Sequence, residues 1–387
     1  MSRVKLITIV GVRPQIITAS AISRAIKTSF ADRFEEVMIH TGQHYDKELS
    51  DVFFNELNLD KPKYNLNVGS AKYGRQTALM LAGIEEVLLK ENPHCVMVFG
   101  DTNSTLAGAL AASKLRFPVI HIEAGVRSFN KNSSEEINRV LTDHVSTLLF
   151  APTNAAFKNL MKEGFRPENS PPYTIDNPKI FLTGDIMYDN TLFFADVAER
   201  TKASIMKSMS IAKNEYILAT IHRESNTENV DRLKAIFTTL LHIAKEYKKV
   251  IVMPLHPRTV MSLKANLDYL YNELLTNEYI RVRPPISYLA MTFLMKNCQM
   301  VITDSVGLQK EAHFFGKPSL VLRKETEWVE LVRNGTVKLV DADVKSIIDG
   351  FDHFNGDTTS LSFPAFYGDG KAAEFVLNET SLLCSAQ

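Results

Sequence analysis

Cysteine is scarce in this sequence: Cys95, Cys298 and Cys384 are the only three among 387 residues. Their odd number and wide spacing exclude a disulfide framework and any familiar zinc-ligand pattern, and fit reduced thiols in a cytosol. An excess of either charge is also missing. Lys and Arg total 44, as do Asp and Glu, so no net field recruits nucleic acid or an anionic membrane, and an anionic ligand has to be gripped by local groups. No apolar run approaches the length of a membrane span. Residues 4–12 imitate a signal peptide, but the run is short and passes into Arg13-Pro14 without a small-residue cleavage site. It reads as a first strand. Internal repeats and low-complexity tracts are absent too. What remains is a cytoplasmic globular protein, for which a hydrophobic content of 45% is ordinary.

At 387 residues the chain exceeds the usual size of one core, so two domains are expected. Short apolar runs occupy 5–10, 36–41, 94–99, 119–122 and 147–151, and a second series occupies 216–221, 250–255, 279–282, 300–303 and 319–322. Their hydrophobicity is continuous, as in strands buried on both faces of a parallel sheet. Helical patterns such as 104–114, 135–148 and 230–247 lie between them. This β/α alternation, run twice, predicts two doubly wound Rossmann-like domains whose strand ends surround one cleft. The irregular stretch 167–177 reads as a loop near the junction, with domains at 1–178 and 179–368 and a final helix within 369–387 returning to the first domain.

Candidate functional groups then fall just after strands. Gly11-Val12-Arg13-Pro14-Gln15 offers a tight turn and sets Arg13 at a helix N-terminus, where an anion is favoured; a plain strand–helix turn explains it equally well. Asp101, in Phe99-Gly100-Asp101-Thr102, follows a strand where helix capping is the commoner use. Glu123 ends the run 119–122 and needs a partner or a chemical reason, with Arg127 as the candidate partner. In Ser133-Ser134-Glu135-Glu136-Ile137-Asn138-Arg139, Ser133 and Glu136 have capping-box spacing, while Glu135/Arg139 and Arg139/Asp143 have the spacing of helix-surface ion pairs. Converging carboxylates permit acid/base pairs with separated pKa values. The second half carries His222-Arg223, His256-Pro257-Arg258, Asp304-Ser305-Val306-Gly307 with Glu311, and Arg323. Ser305 and the amides near Gly307 are placed to hold a diphosphate, and Glu311 to accept from ribose hydroxyls; a capped helix is the structural alternative.

Together these strings resemble the non-hydrolysing UDP-N-acetylglucosamine 2-epimerase family, from the Arg13 turn through Tyr367-Gly368-Asp369-Gly370. Gln43-His44-Tyr45-Asp46, Thr326-Glu327-Trp328-Val329-Glu330 and the Tyr-Gly-Asp-Gly ending are together similar to a branch acting on diacetamido-uronic acid UDP-sugars. The resemblance implies a GT-B-like fold with the active site between the domains, a homodimer, no redox or metal cofactor, and epimerisation at C2. In that reaction the C2 proton is removed while UDP leaves C1, giving a 2-acetamidoglucal; UDP then adds back and C2 is reprotonated on the other face, supplying surface polysaccharide precursors. By motif position Asp101, Glu123 and Glu135 resemble the acid/base carboxylates, and His222 the catalytic histidine. Arg13, Arg139, His256, Ser305, Gly307, Glu311 and Arg323 resemble substrate- and UDP-binding positions, and Gln43 and His44 match part of a regulatory site.

Four positions depart from the pattern. Thr18 replaces a lysine, Ser225 the acidic residue of His-Arg-x-Glu-Asn, Val306 a glycine, and Ser134 a proline. A GT-B glycosyltransferase, or a nucleotide-sugar binder with weak or lost epimerase activity, shares the same frame. Simple glycosyl transfer does not require the Asp101/Glu123/Glu135 set, whereas Thr18, Ser225 and Val306 are what suggest the binder.

Overall fold

The ten expected strands all form, with ends within two residues of expectation. The structure, a computed structural model, describes residues 3–43, 54, 56, 57, 59–202, 204–356 and 359–385. Contacts divide the chain into one unit of Met1–Asn190 with Ala365–Gln387 and a second of Thr191–Pro364.

In the first unit seven strands run in the order β3-β2-β1-β4-β5-β6-β7: β1 Val4–Val10, β2 Phe34–His40, β3 Tyr64–Asn65, β4 Cys95–Phe99, β5 Val119–Ile122, β6 Leu148–Ala151 and β7 Lys179–Leu182. Every pairing is parallel. The order reverses between β1 and β4, the switch point where doubly wound sheets bind ligands. Ile7, Ile9, Val96 and Val98 share one core with Ile84 and Ala111. The helix Asn103–Lys114 is rich in Ala because it lies close to the sheet: a Cβ on Gly108 would come within 2.8 Å of Ile9 Cδ1.

In the second unit β8 Tyr216–Thr220, β9 Val250–Pro254, β10 Ile280–Arg283, β11 Met300–Thr303, β12 Ser319–Val321 and β13 Val337–Leu339 form a parallel sheet ordered β10-β9-β8-β11-β12-β13. Its switch point lies between β8 and β11. Ile217 and Ala219 join one core cluster, and Tyr216 and Leu218 another. Both faces of β8 are therefore buried, which is why its apolar run does not alternate.

Three short strands escaped the sequence reading. β7 extends the first sheet past residue 178, where that domain was expected to end, so 179–190 belong with the first unit. The loop 167–177 accordingly lies inside that unit and not at a junction; Asn177 Nδ2 pins it by donating to the carbonyls of Ser170 at 2.8 Å and Pro172 at 2.9 Å. The helix expected over 135–148 spans Ser134–His144 and stops before Leu148, which opens β6. Among the described residues no helix is long and apolar enough to cross a membrane.

Candidate active site

At the first switch point the turn after β1 is fixed by Gln15. Its Oε1 accepts the Gly11 N–H at 2.8 Å, while Nε2 donates to Phe99 O, Thr102 Oγ1 and Thr105 Oγ1 at 2.8, 2.9 and 2.8 Å. Gly11 is needed for close approach more than for a tight turn: a Cβ there would lie 1.9 Å from Ser104 Oγ and 2.4 Å from Thr41 Oγ1. Arg13 is exposed at the start of the helix Arg13–Ser29, whose N-cap, Val12, gives no side-chain cap. Pro14 has no N–H, and the Gln15 and Ile16 N–H groups go to Val12 O at 3.0 and 3.2 Å, so it is the Arg13 cation that suits an anion here.

Asp101 and Glu123 leave adjacent strands side by side. Phe99 of β4 is in register with Ile122 of β5, and the Gly100 N–H donates to Ile122 O at 3.0 Å. Thr102 caps the following helix, with Thr105 completing a capping box, so Asp101 is not the cap. Asp101 instead pairs with Arg139. Glu123 sits at φ 71, a left-handed conformation uncommon for a residue with a Cβ and a frequent companion of functional sites. Thr18, Glu123, Thr183 and Asp185 line one small pocket, with Phe150 and Val376 on its apolar side. Thr18 donates its hydroxyl to Pro14 O within its own helix at 3.1 Å.

The helix Ser134–His144 is polar inward. Glu136, Arg139 and Asp143 are buried, whereas Ile137 and Leu141 are 47% and 45% exposed. The capping-box expectation fails: Ser133 caps through no side-chain bond and donates to Glu135, and Glu136 reaches back to accept the N–H groups of Ser128 and Phe129 at 2.8 and 3.0 Å. Arg139 lies between Asp101 and Glu136. Asp143, expected to pair with Arg139 on the surface, is fully buried and takes His121 Nδ1 and Arg127 Nη2, each at 2.6 Å. Burial pushes its carboxyl upward, but His121 and Arg127 outweigh burial and hold it below the ordinary value. Arg127, expected beside Glu123, turns to Asp143 and Glu163.

The second switch point joins the ends of β8 and β11. Thr220 and Thr303 share a 2.7 Å hydroxyl hydrogen bond, and one residue further the chain reaches Asp304. Its carboxylate accepts the backbone N–H groups of His222 at 3.1 Å and Arg223 at 3.0 Å, and Asn226 Nδ2 at 3.1 Å. It also stands 3.1 Å from His222 Nδ1, and the His222 ring is 42% exposed. Burial raises the Asp304 pKa, but His222 and the amide donors bring it below its usual value. Of the two caps the sequence offers for this helix, Asp304 or Ser305, Ser305 is the one, accepting from Leu308 N at 3.4 Å; the pairing of Asp304 with His222 was not anticipated.

The helix Val306–Phe314 begins with open space at Gly307, where the nearest atom to an added Cβ is Glu311 Oε1 at 3.6 Å. Val306 keeps its carbonyl occupied by Trp328 Nε1 at 3.0 Å. Arg323 forms a buried two-point pair with Glu327, at 2.8 and 3.3 Å. His256 is exposed and caps the helix Pro257–Asn266, accepting from Arg258 N at 3.2 Å. Arg258 in turn pairs with Glu224 at 2.8 Å, while Ser225 is exposed. Gln43 accepts from the Ser104 hydroxyl at 2.7 Å, tying it to the turn that follows Asp101. His44, Tyr45 and Asp46 lie outside the described residues.

Carboxylates at the switch point of one doubly wound unit, with a His–Asp pair and a capped helix start at that of another, are the equipment of a nucleotide-handling α/β enzyme. The model of the UDP-N-acetylglucosamine 2-epimerase family matches residues 27–380, and the chain belongs to that family. A relative from Pseudomonas aeruginosa, a UDP-2,3-diacetamido-2,3-dideoxy-D-glucuronate 2-epimerase, is 44% identical over 372 residues, covering 95% of this chain and 97% of its own. A UDP-N-acetylglucosamine 2-epimerase homologue from Methanococcus maripaludis is 42% identical over 369 residues, with coverage of 95% and 97%. The crystal structure of the Methanocaldococcus jannaschii UDP-GlcNAc 2-epimerase, in complex with UDP-GlcNAc and UDP, superposes with a TM-score of 0.87 at 40% identity, covering 98% of this chain and 99% of that one.

Proposed function

We propose that this chain epimerises C2 of a UDP-linked 2-acetamido sugar, with Asp101, Glu123 and Glu135 handling protons and the turns after β8 and β11 engaging UDP. The observation that carries this reading is the register of β4 and β5, which brings Asp101 and Glu123 out at neighbouring strand ends with Glu123 in a left-handed conformation. Inverting a carbon that bears hydrogen needs a base on one face and an acid on the other. Converging carboxylates meet that need, whereas simple glycosyl transfer has no use for them. Removal of the C2 proton with departure of UDP from C1 leaves a 2-acetamidoglucal, and re-addition of UDP with protonation of C2 on the opposite face completes the inversion. Arg13, Arg139, His256, Ser305, Gly307, Glu311 and Arg323 are assigned to substrate and UDP, with His222 held by Asp304 near the departing diphosphate. A homodimer, a cytoplasmic location and a supply of surface-polysaccharide precursors belong to the same reading.

The test is incubation with UDP-N-acetylglucosamine and, separately, UDP-2,3-diacetamido-2,3-dideoxy-D-glucuronate, followed by proton NMR. Appearance of a C2 epimer from one of them is the expected result. Intact UDP-sugar bound with no epimer formed would favour a binding protein, and transfer only when an acceptor is added would favour a glycosyltransferase.

A further inference from the structure

Behind the acidic turns lies a buried ionic cluster to which the proposed chemistry gives no part. His121 and Asp143 are 0% exposed and Arg127 2%. His121 precedes Glu123 by two residues on β5, and its ring is held at both nitrogens: Nδ1 lies 2.6 Å from Asp143 Oδ1, and Nε2 lies 2.8 Å from the carbonyl of Gly100. Asp143 Oδ2 also accepts the Gly125 N–H at 3.1 Å and Arg127 Nη2 at 2.6 Å. Gly100 immediately precedes Asp101, and Gly125 follows Glu123 by two residues. The cluster therefore touches the backbone of both acidic turns.

Those turns need external restraint. Gly100, Glu123 and Gly125 have φ of +61, +71 and +75, so each turn passes through left-handed conformations. Such conformations persist where surrounding structure fixes them. The Gly100 carbonyl can only accept, so Nε2 carries a proton. Asp143, whose carboxyl His121 and Arg127 hold below its ordinary value against burial, is ionised and also accepts, so Nδ1 carries one as well. With Asp143 ionised, both ring nitrogens act as donors, Nδ1 to the carboxylate and Nε2 to the Gly100 carbonyl.

We propose that His121 and Asp143 are positioning residues, a clamp that sets the Asp101 turn against the Glu123 turn through the Gly100 carbonyl and the Gly125 amide. The proposal rests on the reading of Asp101 and Glu123 as the proton-handling groups. Neither clamp residue touches substrate; their effect is on the placement of those two carboxylates, and acid/base transfer is sensitive to displacements of about 1 Å.

Two substitutions separate the two bonds. His121→Gln sets an amide where Nε2 was, keeping a donor for Gly100 O and losing the link to Asp143. His121→Asn keeps a donor for Asp143 and loses Gly100. Each variant is expected to lower kcat at least tenfold with KM within about threefold, and to retain cooperative unfolding and UDP affinity. In nitrogen-15 NMR of the histidine-labelled wild type at pH 7.5, both ring nitrogens of His121 should carry protons, assigned by their loss in His121→Asn. A singly protonated ring, or variants with lowered thermal stability but unchanged kcat, would overturn the clamp and leave the cluster a structural support. If the wild type epimerises no UDP-sugar, the functional reading falls, while the ring spectrum still decides whether the doubly held histidine exists.

Discussion

The carboxylate of Asp304 lies 3.1 Å from His222 Nδ1 and also takes the backbone N–H groups of His222 and Arg223. One buried residue after β11 thus fixes both the ring and the main chain of the turn after β8. Nδ1 of the imidazole faces the Asp304 carboxylate as its donor, which orients the ring and turns Nε2 away from Asp304.

Replacing that carboxylate by its amide keeps the volume but turns one acceptor into a donor facing N–H groups. Asp304→Asn is expected to lower kcat about a hundredfold, in the range of a general acid/base contribution. Stability should fall by about 1–3 kcal/mol for the donors left unmet. Initial rates and urea unfolding measure the two separately, and a variant with full kcat would detach Asp304 from His222 function.

Arg139 is 2% exposed and bridges Asp101 and Glu136. Truncation to alanine strands two carboxylates that it neutralises, so Arg139→Ala should cost about 3–5 kcal/mol of unfolding free energy. Arg139→Lys should recover part of that through its charge. A loss below about 1 kcal/mol for alanine would mean that solvent already screens the pair.

Glycine at two turns does opposite work. Gly11→Ala forces a methyl to 1.9 Å from Ser104 Oγ and should destabilise by about 1–3 kcal/mol or more. Gly307→Ala meets nothing nearer than 3.6 Å, so stability should hold or rise by up to about 1 kcal/mol from helix propensity. Calorimetry should nevertheless show weaker UDP binding by Gly307→Ala, because the methyl occupies the approach to the first-turn amides. Undiminished UDP affinity would remove Gly307 from the diphosphate site.

Asp189 gives a pH dependence of defined sign. Its carboxylate accepts the N–H groups of Ala372 and Ala373 at 3.2 and 2.8 Å, at the start of the helix Ala372–Ser385. Burial pushes its pKa up from 3.8 to about 6, against the lowering effect of those two amides. The native state therefore holds the proton more tightly than the unfolded chain between these values. Stability from this group is present below pH 4 and is lost as pH rises through 6, a swing of about 3 kcal/mol at most. Urea unfolding from pH 4 to 7 should show this decline in the wild type relative to Asp189→Asn; parallel curves would contradict it.

Strands were legible where apolar runs were long enough to be buried on both faces, as at Val119–Ile122 and Met300–Thr303, whose limits match expectation. β7 and β13 are short and only partly buried, and their pairing is set by neighbouring strands more than by their own composition. Turn motifs pointed to Asp101, Glu123 and His222, and all three stand just after the strands expected to precede them. The missing pieces were partnerships. Asp304 resembled a cap because it stands next to one, and Asp143 resembled a surface partner because it lies four residues after Arg139. Spacing along a helix identifies neighbours but not which face is buried; Ile137 and Leu141, four residues apart, suggest an apolar face turned inward, whereas both are exposed and the polar side is buried.

Solvent hydrogen exchange at C2 tests the central claim most directly. In D2O with UDP-N-acetylglucosamine or its diacetamido-uronic acid counterpart, the wild type should install deuterium at C2 in both epimers, and Glu123→Gln should slow this at least a hundredfold while unfolding at a similar temperature. Epimer formation with no deuterium at C2, or Glu123→Gln exchanging at the wild-type rate, would contradict proton transfer through this acidic turn.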